Sequence, residues 1–419
     1  MASLEFVHFQ PWKASLSDDG AAWGPDAARR HIDALPQLFW TDGSHWAEAN
    51  LWALERSVLG GSKPATVLSL MRHLKAYADF LEQQELHWQH FPVRRDERVL
   101  VRFRGELIAK IGRSVLRSST ARSRMSAVIQ FYRYARTHGL IGRDSPIWAD
   151  RQVSLSWLDT TGFQRTMTRT STDLTIPNRA RPGLQLEDGL LPLSSRAMVE
   201  LLQFSASRAR ELHLMLTLGF FTGARLGSIL SLRRENLESA RPDPHAPGFH
   251  LLRIGPGTGV KTKFDVTGNL LIHDALLADL RSYGGSTGRL HRQVRARPQD
   301  KSLLFLTRRS NAYSVNSVDR LIQESRREAL REGMRFMEGF KFHQTRATFG
   351  TWLMQILLQV TSVAAAVAFV REAMLHKHES TTFRYVRFLE NTRNKEKVAE
   401  AFSQIFSGIG LGEWGTRDV

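Results

Sequence analysis

Apolar residues recur at three- and four-residue spacing in the first half of the chain, as they do along one face of an α-helix. Pro64 suits the first turn of a helix, and Ser119 and Thr120 are both residues that commonly cap one. Gly139 follows the last apolar stripe, where a helix would end. The pattern therefore predicts a helical bundle over about 44–146. A second helix is predicted from about Val99 to Leu116. The stripes of the first and third helices consist of Val67, Met71, Leu74, Ala78 and Leu81, and of Met125, Val128, Ile129, Tyr132 and Ala135.

The remaining segments differ in how regular their patterns are. Residues 1–41 show no clear period and receive no role, whereas 42–150 form the predicted helical domain. Residues 151–190 are rich in Thr, Ser, Arg, Pro and Gly, which is typical of a linker or an extended loop. Helices and short strands alternate over 191–395, and an amphipathic helix with a tail occupies 396–419. The fold class is therefore mainly α with a small β-sheet, a helical bundle followed by a mixed α/β domain. The strands are predicted at 249–254 and 270–273.

The charge of the chain narrows the choice of partner. Among its 419 residues, 58 are Lys or Arg and 41 are Asp or Glu, which gives a formal net charge of +17. A chain this basic most often binds a polyanion, and nucleic acid is the favoured one over a ribosome-associated or simply basic protein. Basic residues crowd the later helices of the bundle with few acids to offset them. We expect phosphate contact there rather than an ordinary solvated face, and the candidates for DNA binding are Arg113, Arg117, Arg122 and Arg124.

The absence of cysteine excludes disulfides, thiolate zinc sites and cysteine nucleophiles. The N-terminal residues lack the basic and apolar regions of a signal peptide. The longest apolar run, from Val360 to Val370, is too short to span a bilayer, so it predicts a buried helix. We therefore expect an intracellular, cytoplasmic protein with no membrane partner.

Three short motifs carry the candidate chemistry. They are a Thr-Gly-Ala-Arg turn ending in Arg225, a His-Gln-Thr-Arg box from His343 to Arg346, and His376 followed nine positions later by Tyr385. Guanidinium groups stay charged and bind phosphate through two parallel hydrogen bonds. His343 and Arg346 are three residues apart, so they project from one helical face. Together the motifs offer a nucleophile, two guanidiniums and two imidazoles, which suit phosphodiester cleavage without a metal.

In this order the motifs resemble those of the tyrosine recombinases, the phage-integrase family, over about Leu190 to Phe406. The helical bundle resembles the core-binding domain of that family. The resemblance implies that Tyr385 is the nucleophile and that Arg225 and Arg346 stabilise the phosphate. It also implies that His343 accepts the tyrosine proton or orients the phosphate, and that His376 is the second histidine. The pair Thr381 and Thr382 matches the family's usual threonines beside the nucleophile.

The resemblance further implies a lysine on a β-hairpin, which protonates the leaving oxygen. Lys261 is favoured for this role and Lys263 is the alternative, since both lie between the predicted strands. The adjoining glycine-rich stretch is not a phosphate-binding P-loop, because Val260 stands where such a loop needs glycine before Lys-Thr. We therefore expect no ATP dependence.

Three positions depart from the family pattern or compete with it. Leu375 precedes His376 where the family usually has glycine, and Ser228 stands where an acid is common. Ser228 either weakens activity or replaces the acid's supporting role. His378 competes with His376, but the spacing to Tyr385 favours His376. A His-x-His metal site has no supporting ligands nearby, so no metal or other cofactor is expected.

The resemblance implies a site-specific recombinase or integrase that cleaves double-stranded DNA through a 3′-phosphotyrosyl link. Strand exchange implies a homo-oligomer, a tetramer on DNA, whose tail at 396–419 docks in a neighbouring protomer or packs on its own domain. A type IB topoisomerase-like enzyme and a non-cleaving DNA-binding protein on the same fold remain alternatives.

Overall fold

The computed structural model of the protein describes residues 1–393, except for 18–19, 27, 30, 143, 159–163, 177–185 and 187–188. The chain divides into two compact units, Met1–Arg181 and Pro182–Val419. The helix and tail that the sequence predicts at 396–419 lie outside the described residues.

The first unit contains the predicted helical bundle. The two apolar stripes are buried, and they form one core with Trp46, Trp52 and Phe131. Two core tyrosines share a hydrogen bond, since the hydroxyls of Tyr77 and Tyr132 lie 2.6 Å apart. The last helix begins at Ser118, one residue before the predicted caps, and no side chain caps it. The helices are α1 (Ala47–Val58), α2 (Pro64–Gln83), α3 (Val99–Gly112) and α4 (Ser118–Thr137).

The N-terminal segment, which shows no period in the sequence, forms four strands. They pair as two separate antiparallel ladders, and most of their side chains are exposed, so no apolar alternation develops. Asn50 on α1 ties the segment to the bundle, because its side chain accepts from the Leu38 amide (2.6 Å) and donates to the Leu38 carbonyl (3.0 Å). The ladders join β1 (Ser3–Phe9) with β4 (Ile32–Phe39) and β2 (Trp12–Ser17) with β3 (Gly20–Pro25).

The segment predicted as a linker, 151–190, also contains regular structure. A two-stranded antiparallel hairpin joins β5 (Asp150–Leu158) to β6 (Gln164–Thr172). Threonine occupies every second position along β6, a period-2 pattern of a β-branched residue that a search for apolar alternation misses.

The second unit is a helical domain with a three-stranded antiparallel sheet. The strand predicted at 249–254 is confirmed, and its partner begins at Gly268, two residues before the predicted 270–273. The sheet order is β7 (Arg241–Pro242), β8 (Phe249–Ile254) and β9 (Gly268–His273). The helices are α5 (Ser195–Ala206), α6 (Arg210–Thr222), α7 (Leu226–Leu230), α8 (Arg234–Glu238), α9 (Asp274–Gly285), α10 (Thr287–Arg295), α11 (Val315–Arg331), α12 (Gln344–Val360), α13 (Val363–Ala373) and α14 (379–393).

Two apolar helices of the second unit, α6 and α12, pack on each other beside the sequence motifs. Helix α6 is buried along most of its length and packs on α12, where Gly219 leaves room for Thr345 and Phe342. Over the described part of the chain, no helix has both the length and the apolar character needed to cross a membrane.

Candidate active site

The Thr-Gly-Ala-Arg motif forms the turn that ends α6. Gly223 caps the helix in the left-handed conformation (φ 63°), which favours glycine. The ring of Phe349 on α12 lies directly against it, since a Cβ at Gly223 would be 2.4 Å from Cδ1 of that ring. The chain then extends through Arg225, which is half-buried and precedes the first turn of α7. The glycine therefore sets both the chain direction and the packing that hold Arg225.

Arg346 joins two motifs through its guanidinium. It lies on α12, is 2% exposed, and donates from Nη1 to the Gly223 carbonyl at 2.5 Å. Its Nη2 donates to the Met374 carbonyl, also at 2.5 Å, two residues before His376. A guanidinium is suited to this because its N–H groups point in fixed directions. Arg346 thus fastens the turn that carries Arg225 to the segment that carries the second histidine.

The second histidine and the candidate nucleophile lie side by side. His376 is 6% exposed, and its ring stacks on that of Tyr385 with centroids 6.1 Å apart and planes at 21°. Its Nδ1 is 2.9 Å from Oγ1 of the fully buried Thr382. His378, the competing histidine, is exposed. Of the predicted threonine pair, Thr382 therefore orients His376.

Tyr385 is buried between α14 and α12. Its side chain is 1% exposed, and its ring lies so close to Gly350 that an added Cβ would be 2.6 Å from Cε1 and 2.7 Å from Cζ. The same Cβ would be 2.6 Å from the sulfur of Met374. Because Gly350 lies one turn after Arg346 on α12, this packing places the tyrosine of α14 against the helix that carries the arginine.

His343 begins the same helix on its N-terminal side. It is half-buried, and together with Leu226, the residue after Arg225, it lines a surface cavity of about 510 Å³. The cavity is also bordered by Lys341 and Arg326. His343 of the second motif and the residue after the first motif therefore border one cavity, whose lining includes two basic side chains, Arg326 and Lys341.

Both candidate lysines lie on the connection between β8 and β9, as the sequence predicts. Lys261 has an exposed side chain, but its backbone is fixed on both sides. Its N–H donates to Ser231 Oγ at 2.8 Å, and its carbonyl accepts from Ser228 Oγ at 2.8 Å. Lys263 has its ammonium 5.4 Å from the centroid of the Phe264 ring. The backbone of Lys261 is therefore held by two serine side chains, whereas the ammonium of Lys263 lies near an aromatic ring.

Comparison with known proteins identifies the fold. No protein-family model and no curated protein matches the chain. Among solved structures, it is similar to the Tn1549 transposon integrase in complex with a circular intermediate DNA, with a TM-score of 0.51 and 12% identity, covering 81% of this chain and 94% of that chain. The same integrase in complex with transposon right end DNA gives a TM-score of 0.50 and 13% identity, covering 83% and 98%. The chain has the tyrosine recombinase fold.

One departure from the tyrosine recombinase pattern is accommodated by the fold. Leu375 takes the left-handed conformation (φ 51°) at the position where the family usually has glycine. Its side chain lies over Gly268 at the start of β9, where a Cβ would be 2.2 Å from Leu375 Cδ2. The contact joins the turn before His376 to the strand that follows the lysine loop.

The sequence analysis missed Phe264 and Lys377. Phe264 is 61% exposed and left-handed (φ 64°), and Lys263 and Lys377 each have Nζ 5.4 Å from its ring centroid. The only sequence signal is a lone aromatic residue next to lysine, which is too weak to single it out. The fold therefore builds an aromatic and basic loop tip beside His376.

The four arginines proposed for DNA binding cluster in the first unit. Arg113 follows α3, Arg117 precedes α4, and Arg122 and Arg124 lie in its first two turns. The first three are exposed and Arg124 is half-buried. Burial lowers the pKa of His73, and the positive charge of Arg124 lowers it further.

No group of three or more His, Cys, Asp or Glu side chains that could hold a metal ion occurs in the described ranges.

Proposed function

We propose that the protein is a site-specific DNA recombinase or integrase that cleaves and rejoins duplex DNA through Tyr385. One observation carries the proposal. Arg346 bonds to the carbonyls of Gly223 and Met374, and so draws the three motifs into one site on a tyrosine recombinase fold. A surface that only bound DNA would not need a histidine stacked on a tyrosine that packs against the helix of Arg346.

The proposed reaction balances without a metal or ATP. Tyr385 Oη attacks the scissile phosphorus and its proton passes to His343, while the P–O5′ bond breaks and Lys261 protonates the departing oxygen. Arg225 and Arg346 stabilise the charge that develops on the nonbridging oxygens. The product is a 3′-phosphotyrosyl link and a free 5′-hydroxyl. Because the phosphodiester is exchanged for another phosphodiester, a second 5′-hydroxyl reverses the step and rejoins the strand.

Tyr385 must change position for this chemistry. With 1% of Tyr385 and 2% of Arg346 exposed, neither the hydroxyl nor the guanidinium is accessible to a phosphate on DNA before this change. The ring packs against Gly350 on α12, so Tyr385 would have to move away from α12 before it attacks. We propose that DNA binding drives this shift, and that the buried position prevents cleavage away from the target site.

The proposed substrate is double-stranded DNA in the cytoplasm. The four arginines after α3 and at the start of α4 would contact its phosphates, and Phe264 with its two lysines would contact DNA beside the site. The similar Tn1549 structures are complexes with DNA. Exchange of strands between two duplexes requires four cleaving tyrosines, so we propose a tetramer on DNA.

Covalent trapping tests the proposed function without knowledge of the target sequence. The protein is incubated with a pool of randomised duplexes, denatured with detergent, and the DNA that remains attached to protein is sequenced. We expect the wild type to enrich a sequence and Tyr385→Phe to enrich none while still binding DNA. Tyr313→Phe, a half-buried tyrosine on another part of the unit, is the matched control and should trap normally.

Two results would contradict the proposal. If the wild type and Tyr385→Phe recover equal amounts of DNA, the tyrosine is not the attachment point. If neither recovers DNA although both bind duplexes, the protein is a non-cleaving DNA-binding protein. Relaxation of supercoiled plasmid without joining of two trapped sites would instead indicate a topoisomerase.

A further inference from the structure

Two buried serines hold the backbone of Lys261. Ser228 is 5% exposed and its hydroxyl donates to the Lys261 carbonyl, whereas Ser231 is 8% exposed and its hydroxyl accepts from the Lys261 N–H. Both bonds measure 2.8 Å. Lys261 therefore has a donor and an acceptor matched to its two backbone groups, as a strand residue has in a sheet, but both partners are side chains.

The serines are themselves fixed to Arg225. The Ser228 N–H donates to the Arg225 carbonyl at 2.9 Å, and Arg225 immediately precedes α7, which carries Ser228. Ser231 follows the same helix, and its single hydroxyl proton is shared between the carbonyls of Gly227 at 2.9 Å and Ser228 at 3.1 Å. A single short helix therefore connects the backbone of Arg225 to that of Lys261, although the serine and the lysine are 33 positions apart in sequence.

The position of this backbone matters because the lysine side chain is exposed. A general acid must come within hydrogen-bond reach of the atom that it protonates. The side chain of an exposed lysine is flexible. Its ammonium is within reach of the leaving oxygen for more of the time when its Cα is fixed relative to the phosphate-binding groups. In the proposed function, Arg225 holds the nonbridging oxygens and Lys261 protonates the leaving oxygen. Helix α7 therefore fixes the positions of these two residues relative to each other.

We propose that Ser228 and Ser231 are positioning residues for Lys261, which hold it in register with Arg225. This inference rests on the proposed function of Lys261 as general acid. It also explains the serine at position 228, where the family commonly has an acid. An ionised carboxylate only accepts hydrogen bonds. It would face the Lys261 carbonyl without a proton to donate, so serine is the residue that this loop requires.

The test compares two leaving groups in single-turnover cleavage of a trapped target sequence. One duplex has the normal 5′ oxygen, and the other has a 5′-bridging sulfur, which leaves without needing a proton. We expect Ser228→Ala to slow cleavage of the normal duplex by about 10- to 100-fold, because the general acid is displaced rather than removed. Cleavage of the sulfur duplex should stay within about threefold of the wild type, because the acid is not needed there.

Further variants separate positioning from general loss of structure. Ser231→Ala should show the same substrate dependence, and Ser228→Asp should be no faster than Ser228→Ala on the normal duplex. In a Lys261→Ala background, Ser228→Ala should cause no additional loss, because residues that act through one group are not additive. Ser205→Ala is the matched control, since Ser205 is 4% exposed and donates to the Leu202 carbonyl away from the loop.

Other outcomes overturn either the role of the serines or the proposed function. If the Ser228 and Ser231 variants slow both duplexes equally, the serines only support the fold and the inference is wrong. It is also wrong if Ser228→Ala cleaves the normal duplex at the wild-type rate. If the wild type cleaves neither duplex, the proposed function fails first, and the role of the serines falls with it. Thermal unfolding of each variant identifies any that do not fold, and Ser231→Ala then carries the comparison.

Discussion

Individual side chains in this site hold other parts of the site in place. Arg346 supports two carbonyls from different motifs before it can contact any phosphate, and Thr382 orients His376 through a single hydroxyl. The structure also distinguishes the two candidate lysines. Lys261 is bound through its backbone to α7 and the segment after it, whereas the ammonium of Lys263 lies over the exposed ring of Phe264. These contacts favour Lys261 as the proton donor and Lys263 as a contact to DNA.

Alanine substitution of each lysine tests this assignment. We expect Lys261→Ala to reduce the cleavage rate of a normal duplex by about 100- to 10,000-fold, the usual contribution of a general acid. Lys263→Ala should weaken DNA binding and leave the rate at saturating protein nearly unchanged. Single-turnover cleavage with both leaving groups is the measurement. If instead Lys263→Ala cleaves the normal duplex slowly and the sulfur duplex restores its rate, while Lys261→Ala cleaves both duplexes at the wild-type rate, the general acid is Lys263.

Pairs of elements, rather than isolated residues, hold the motifs together. The turn after α6 is pressed against α12 by Phe349, and α14 is pressed against α12 at Gly350. Both contacts depend on glycine, because any side chain would overlap a ring. Helix α12 therefore contacts both the turn of the first motif and the candidate nucleophile, Tyr385.

Substitution of a glycine in the turn tests this packing. Gly223→Ala adds a Cβ 2.4 Å from the Phe349 ring at a left-handed position, so we expect a loss of about 1–3 kcal/mol in the free energy of unfolding. Cleavage should fall as well, since the Gly223 carbonyl holds Arg346. Gly227→Ala is the matched control on α7, where nothing lies within 4 Å of the added atom. Equal urea midpoints for the two variants would contradict the account.

The elements that the sequence reveals are those whose burial creates a pattern. The stripes of α2 and α4 are readable because Met71, Leu74 and Val128 are buried at helical spacing. The N-terminal ladders and the β5–β6 hairpin were missed, because two-stranded ladders with mostly exposed residues leave no apolar alternation. The site motifs are local and could be predicted. The bonds between them join residues as far as 123 positions apart, so no local pattern contains them.

The whole molecule is organised by charge and by the division into two units. Its net charge of +17 favours a polyanionic partner, and a dense group of arginines lies at one end of α4 in the first unit. The catalytic candidates all lie in the second unit. The arginines at the start of α4 are therefore far along the chain from the catalytic candidates, and variants of these arginines should affect binding without affecting the chemistry.

The dependence of DNA affinity on salt tests this separation. We expect the logarithm of the binding constant to fall linearly with the logarithm of salt concentration. Arg122→Gln should reduce the magnitude of that slope by about 1, because one phosphate contact is lost. The cleavage rate at saturating protein should stay the same. An unchanged slope would remove Arg122 from the interface, and Arg196→Gln, an exposed arginine of the second unit, serves as control.

Mapping the covalent bond tests the central claim most directly. The trapped complex is digested with nuclease and with a protease that cuts after glutamate, and the nucleotide-bearing peptide is sequenced by mass spectrometry. We expect a 3′-phosphonucleotide on the peptide Ser380–Glu390, which contains Tyr385 as its one tyrosine, with fragmentation placing the phosphate on that residue. A nucleotide on any other residue, including Ser380, Thr381 or Thr382 of the same peptide, would contradict the account.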